Sequence, residues 1–276
     1  MSTTDFQSRA AQAEAALRAL FPATPLQLNE HLSNRYGARI FLKREDLTPV
    51  RSYKIRGAFN FMRKRIAAGE SASSFTCASA GNHAQGFAFA CRHFGRKGRV
   101  FMPVTTPQQK IDKTRTFGNG SIEIELVGDF FDECYAAAKA YAASSGAAMV
   151  PPFDHEDIVE GQASVGVEVT RQLGGEAVDL MVLPVGGGGL SSGLVRYFDG
   201  EGGPDFRFVE PLGAPSLRTS LTEGRLVKLP QLDGFVDGAA VAEIGALPFE
   251  ALSRFPPEKV LLSPEGSTCS TMLEML

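Results

Sequence analysis

The sequence predicts an α/β fold with mainly parallel strands. Helical and strand patterns alternate along the chain, as they do where each strand returns through a crossover helix. Residues 179–185 are almost entirely apolar, the composition of a central parallel strand buried on both faces. Four glycines, 186–189, end that run and lead into a helical pattern, the strand–turn–helix order of an α/β unit.

The elements follow in order. A first helix is expected over residues 5–20, with Phe6, Ala10, Leu17 and Leu20 along one side and Thr4 or Asp5 as cap. A second begins near Ser52 and places Ile55, Ala58, Phe59, Met62 and Ile66 on one face. Residues 75–78 read as a short strand, followed by a helix from about Asn82, and residues 99–102 as the next strand. Ile122, Ile124 and Leu126 alternate with Glu123 and Glu125, the pattern of a half-exposed strand. Residues 130–143 are helical in pattern, and residues 206–209 form a further strand. No low-complexity linker or repeat interrupts the chain, so two lobes would be formed by the chain crossing between them.

Composition narrows the function. The 276 residues are 43% hydrophobic and 21% charged, with a net charge of -3, which gives no electrostatic reason to expect nucleic acid or an anionic membrane as partner. No apolar run approaches the roughly 20 residues that span a bilayer. Asp5 and Glu14 interrupt the N-terminal region where a signal-peptide core would lie, so a cytoplasmic protein is expected. Cys77, Cys91, Cys134 and Cys269 form no CxxC pair and no zinc pattern with His31, His83, His93 or His155. Reduced, mostly buried thiols and no metal site are therefore expected.

Three constellations carry chemistry. Gly186, Gly187, Gly188 and Gly189, with Leu190 opening the next helix, allow backbone N–H groups to converge on one anion such as a phosphate. A dinucleotide reading, with Glu210 as the ribose-binding acid, is the alternative, although Ser191 replaces the third glycine of its fingerprint. Ser79, Gly81, Asn82 and His83 form a second strand–turn–helix junction, suited to a carboxylate or a phenolic oxygen; an ordinary helix cap explains the same residues, and His83 reads as a structural hydrogen-bonding residue. Lys54 lies where an extended segment turns into a helix. An amine there becomes a nucleophile when burial lowers its pKa.

These strings, together with residues 43–58, 102–110, 150–155, 237–241 and 264–269, resemble the threonine dehydratases (threonine ammonia-lyases), biosynthetic type. These enzymes belong to the fold type II pyridoxal-phosphate family, whose two-lobed fold is similar to the tryptophan synthase β subunit, with mainly parallel sheets flanked by helices. The resemblance implies a large cofactor-binding lobe from residues 1–53 and 160–276 and a small lobe from residues 54–159. It implies pyridoxal 5'-phosphate as cofactor, with Lys54 as the Schiff-base lysine and Cα base, Gly186 to Leu190 on the phosphate, and Asn82 on the pyridine 3-hydroxyl. Ser79, Gly81, Asn82 and His83 would bind the substrate carboxylate. The implied reaction is deamination of L-threonine to 2-oxobutanoate and ammonia, the first step of isoleucine biosynthesis, with L-serine as secondary substrate and a homo-oligomer, dimer or tetramer, as the assembly. Serine dehydratase or racemase and hydroxyaspartate lyase share this chemistry.

Family chains continue into Glu-Pro-x-Gly-Ala and Ser-Gly-Gly-Asn segments, the latter supplying a serine to the pyridine nitrogen; neither segment is in this sequence. The expectation is a chain truncated in its catalytic domain and without a regulatory domain, which binds cofactor weakly and turns over slowly or serves as a non-catalytic cofactor-binding fragment. Ala163 occupies a position that is usually glycine, where a turn is expected to tolerate a methyl group. Ser216 replaces the aspartate of a cation motif that retains Glu210 and Ala214, so no tight divalent-cation site is expected.

Overall fold

Two parallel sheets, flanked by helices, carry the chain. The computed structural model describes residues 3–69 and 74–275. The elements run α1 (Thr3–Leu17), β1 (Leu26–Leu28), α2 (Glu30–Tyr36), β2 (Phe41–Lys43), α3 (Lys54–Ala67), β3 (Ser74–Ala78), α4 (Asn82–His93), β4 (Lys97–Met102) and α5 (Gln108–Gly118). They continue with β5 (Ile122–Leu126), α6 (Phe131–Ser145), β6 (Ala148–Met149), α7 (Glu156–Leu173), β7 (Leu180–Pro184), α8 (Gly189–Tyr197), β8 (Asp205–Pro211), α9 (Ser216–Glu223), α10 (Ala246–Leu252), β9 (Val260–Ser263) and α11 (Glu265–Glu274).

The first sheet has the order β5-β4-β3-β6 and the second β7-β8-β9. Every pairing within them is parallel, and among the described residues only the β1–β2 ribbon is antiparallel. Each sheet has its own core. Phe61, Phe75, Phe87, Val100 and Ile111 pack around the first; Val165, Leu183, Leu194, Phe206, Phe208 and Leu217 pack around the second.

Helix α7 is buried from Ile158 to Val169 and packs against α1, α3 and α8. Glycine makes the close crossings possible. A Cβ at Gly161 would stand 2.6 Å from the Arg56 carbonyl oxygen, and one at Gly193 would stand 2.8 Å from that of Val159. Ala163 therefore lies within α7, not in a turn. Its methyl group is fully buried and occupies the space opened by Gly193.

Two further expectations need correction. The first helix starts at Thr3, so Thr4 and Asp5 lie inside it instead of capping it. Strand β7 is not central: β8 pairs one side, and among the described residues no strand pairs the other. Met181 and Leu183 face the second core, whereas Leu180 and Val182 are 50% and 57% exposed. Of the cysteines, Cys77, Cys91 and Cys134 are buried and Cys269 is exposed. Among the described residues, no helix is long and apolar enough to cross a membrane.

Candidate active site

Helix α3 begins at Lys54, and the turn before it is held locally. The Thr48 hydroxyl donates to the Ser52 carbonyl oxygen at 2.9 Å and accepts from the Ser52 amide at 2.9 Å. Arg51 in the same turn adopts a left-handed φ of 62°, a conformation that carries steric cost for a side-chain-bearing residue. Helix α4 lies directly on the start of α3: a Cβ at Gly86 would come within 2.9 Å of the Ile55 amide nitrogen. The first turn of α3 is therefore clamped between α4 and α7.

The Lys54 amine donates to the Pro152 carbonyl oxygen at 3.3 Å. It lies 5.6 Å from the Tyr53 ring centroid and 5.8 Å from that of Phe153. The side chain retains partial access to solvent but is surrounded by protein, and this burial lowers its pKa to about 8. Burial, with the charge of Glu45, raises the Tyr53 phenol to about 12. The Ser52 hydroxyl is buried and has no hydrogen-bond partner.

The second junction follows β3. The Ser79 hydroxyl accepts from the Gly81 amide at 3.2 Å. The bond from Gln85 N–H to the Gly81 carbonyl oxygen, 3.3 Å, is the first of α4, so the amides of Asn82, His83 and Ala84 precede the helical ladder. The His83 Nε2 bonds the Val150 carbonyl oxygen at 3.0 Å. Burial, reinforced by the Lys54 charge, presses the imidazole to about 3; it is neutral at ordinary pH, and the carbonyl partner assigns its proton to Nε2.

The third junction follows β7. Gly188 takes a φ of +83°, and the first bond of α8 runs from Ser192 N–H to its carbonyl oxygen at 2.9 Å. The amides of Gly189, Leu190 and Ser191 therefore precede the ladder at a helix N-terminus, an arrangement that favours anions. A Cβ at Gly187 would meet Phe153 Cδ1 at 2.1 Å, and one at Gly186 would meet Ala239 Cα at 3.0 Å.

Residues 150–153 join these parts. Val150 accepts from His83, Pro152 from Lys54, and Phe153 lies against Gly187 and Gly189. A second segment approaches Asn82: a Cβ at Gly238 would lie 3.8 Å from Asn82 Nδ2. Beside it, Asp237 forms an ion pair with Lys110. Lys54, His83 and the glycine turn thus share one neighbourhood, with Asn82 linked to it through Gly238 and Ala239, whereas the Ser79 hydroxyl bonds within its own turn and the Ser79 amide donates to the Phe101 carbonyl oxygen at 3.1 Å. No local sequence pattern assigns chemistry to Ser52, Pro152, Phe153 or Ala239. Their signal lies in the strings 43–58, 150–155 and 237–241, which mark kinship but not contact.

Glu210 does not act as a ribose acid. Its carboxylate accepts from the amides of Leu217 at 2.7 Å and Arg218 at 2.9 Å, and from the Ser216 hydroxyl at 3.3 Å. It caps α9 from a buried position, and burial raises it to about 7.

A family model described as pyridoxal-phosphate dependent enzyme matches residues 18–276. Biosynthetic L-threonine dehydratase from Halalkalibacterium halodurans is 42% identical over 265 residues, covering 95% of this chain and 63% of that protein. The Bacillus subtilis biosynthetic L-threonine dehydratase is 44% identical over 254 residues, covering 91% and 59%. The chain thus spans about three-fifths of the length of these curated relatives. The processed form of threonine deaminase isoform 2 from Solanum lycopersicum superposes with a TM-score of 0.86 at 35% identity, over 96% of this chain and 71% of that one. Maize serine racemase matches with the same TM-score, 0.86, at 22% identity and shares the fold. The chain belongs to the family of pyridoxal-phosphate-dependent enzymes.

Proposed function

We propose that the chain deaminates L-threonine to 2-oxobutanoate and ammonia, with L-serine as a slower substrate. The observation that carries this reading is the Lys54 amine, lowered to about 8 and placed beside the Phe153 ring that packs on Gly187. The names and identities of the threonine dehydratase relatives support the choice of substrate.

The residues present fit pyridoxal phosphate. Three unladdered amides at the start of α8 suit its phosphate, and the unpartnered Ser52 hydroxyl leaves a buried polar group to be satisfied. Pyridoxal phosphate supplies an aldehyde that condenses with amines and a ring that withdraws electrons from Cα. Lys54 would hold the cofactor through its amine, and the same Nζ, with a pKa of about 8, is suited to take the substrate's Cα proton near neutral pH. The amides of Gly189, Leu190 and Ser191 would hold the phosphate, with Gly186 to Gly188 shaping the turn. Asn82 would bond the ring hydroxyl. The turn containing Ser79, Gly81, Asn82 and His83 binds the carboxylate with the amides that open α4. Neutral His83 holds this turn to Val150 without adding a positive charge beside Lys54. The lobes are residues 1–53 with 160–276, and residues 54–159. The same reading makes the chain a cytoplasmic, isoleucine-pathway enzyme that assembles with its own kind, which sedimentation would show.

The test is a direct assay of the 276-residue chain, supplied with pyridoxal phosphate, for 2-oxobutanoate from L-threonine and pyruvate from L-serine. Faster release from threonine than from serine supports the reading. Bound cofactor without either product identifies a non-catalytic cofactor-binding chain and overturns it.

A further inference from the structure

Arg56 follows Lys54 by two positions, roughly 200° around the helix at 3.6 residues per turn, and it is fully buried. Its Nε and Nη2 donate to the two oxygens of Glu45, both at 2.7 Å. Its Nη1 and Nη2 donate to the two oxygens of Glu168 at 2.8 and 3.0 Å. Nη1 also reaches the Ser164 hydroxyl at 3.1 Å and Nη2 the Thr24 hydroxyl at 3.3 Å. The guanidinium therefore joins three separate parts of the chain: the turn at residues 45–47, α7 and the segment before β1.

This network adds side-chain bonds to a helix start that is otherwise held by close backbone packing against α4 and α7. Tyr53, the residue that opens the helix, makes no side-chain capping hydrogen bond, so a usual device for fixing a helix start is missing. Lys54 looks into the site on one side of that first turn, while Arg56 grips two carboxylates on the other. A planar, bidentate fork defines orientation as well as distance, which an ammonium cannot do.

We infer that Arg56 is the positioning residue of the site: by gripping Glu45 and Glu168 together it fixes the first turn of α3, and with it the place of the Lys54 amine. This rests on the proposed use of Lys54 as the cofactor-binding amine. Arg56 touches neither cofactor nor substrate. It acts through the helix that carries Lys54.

The test compares Arg56→Lys and Glu45→Gln in the full chain with Arg171→Gln as control. Arg171 bonds Glu14 of α1 from α7, at the periphery of the same charge network, and among the described residues forms no hydrogen bond with α3. Two quantities are read: the pH midpoint of Lys54 acetylation by acetic anhydride in the cofactor-free protein, and the yield of borohydride-trapped pyridoxal phosphate on Lys54. Both site variants should raise the midpoint by about one pH unit, as the amine leaves its buried position, and lower trapping on the order of tenfold. Arg171→Gln should leave the midpoint within about 0.3 pH unit and the trapping yield within about twofold, well below the one unit and tenfold expected of the site variants. Should Arg56→Lys fail to fold, Glu45→Gln carries the test, because it leaves Arg56 paired with Glu168. Wild-type values in the folded site variants, or equal changes in the control, overturn the inference. Absence of trapping on Lys54 in the unsubstituted chain defeats the proposed function instead, while the acetylation midpoints still report positioning.

Discussion

The Lys54 amine and the Pro152 carbonyl oxygen, 98 positions apart in sequence, meet at 3.3 Å. The carbonyl is a neutral acceptor, and burial dominates the titration of the amine. Its folded pKa is about 8, against 10.5 for an ordinary lysine. Below pH 8 the folded chain therefore bears the full cost of a charged buried amine. That cost, at most on the order of 3 kcal/mol and less for the partial solvent access, is relieved as pH rises from 8 to 10.5. Lys54→Met should raise the melting temperature of the cofactor-free protein at pH 7, with the gain shrinking toward pH 10.5. Calorimetry at several pH values checks this.

Gly187 and Phe153 form a matched pair. A methyl group at position 187 would overlap the Phe153 ring at 2.1 Å, so Gly187→Ala must displace that ring or the turn. Overpacking of this kind costs about 1–3 kcal/mol. Cofactor affinity, measured by absorbance titration, should fall on the order of tenfold or more, since each 1.4 kcal/mol is tenfold. Phe153→Ala in the same chain should restore part of the loss, because it removes the atoms in collision.

His83 contributes acid sensitivity. Its folded pKa of about 3 lies below the ordinary 6.5, so between these values the unfolded chain binds a proton that the folded chain refuses. Stability from this group is therefore full above about pH 6.5 and falls as pH drops toward 3. The amide of His83→Gln can still donate toward Val150 but does not titrate. The difference in melting temperature between wild type and variant should accordingly narrow or reverse on acidification from pH 7 to pH 4.

Val182 predicts behaviour at the uncovered edge of β7. It is 57% exposed beside Leu180, 50% exposed, on a strand that among the described residues is paired on one side alone, a combination that favours edge-to-edge association. Val182→Lys should reduce concentration-dependent light scattering. Its effect on unfolding free energy should stay within about 0.5 kcal/mol, as for other surface positions.

Local chemistry made much of the site readable in the sequence. A strand, a polar or glycine turn and a helix start follow one another at residues 74–84 and 180–191, and each is written in adjacent residues. The Lys54 junction is also local. Partners distant in the chain were harder to find: no local pattern indicates that Pro152 meets Lys54, that Phe153 seats on Gly187, or that Arg56 meets Glu168. Apolar content identified β7 as a strand but could not name its neighbours, so one uncovered face was read as two buried ones. The residue expected in a turn at Ala163 is helical because α7 crosses its neighbours through Gly161 and Gly193, a fact held in the facing helices.

The most direct measurement of the central claim is peptide mapping of the purified chain after incubation with pyridoxal phosphate and borohydride reduction. The account predicts a stable adduct on Lys54. An adduct on a different lysine, or none, would contradict it.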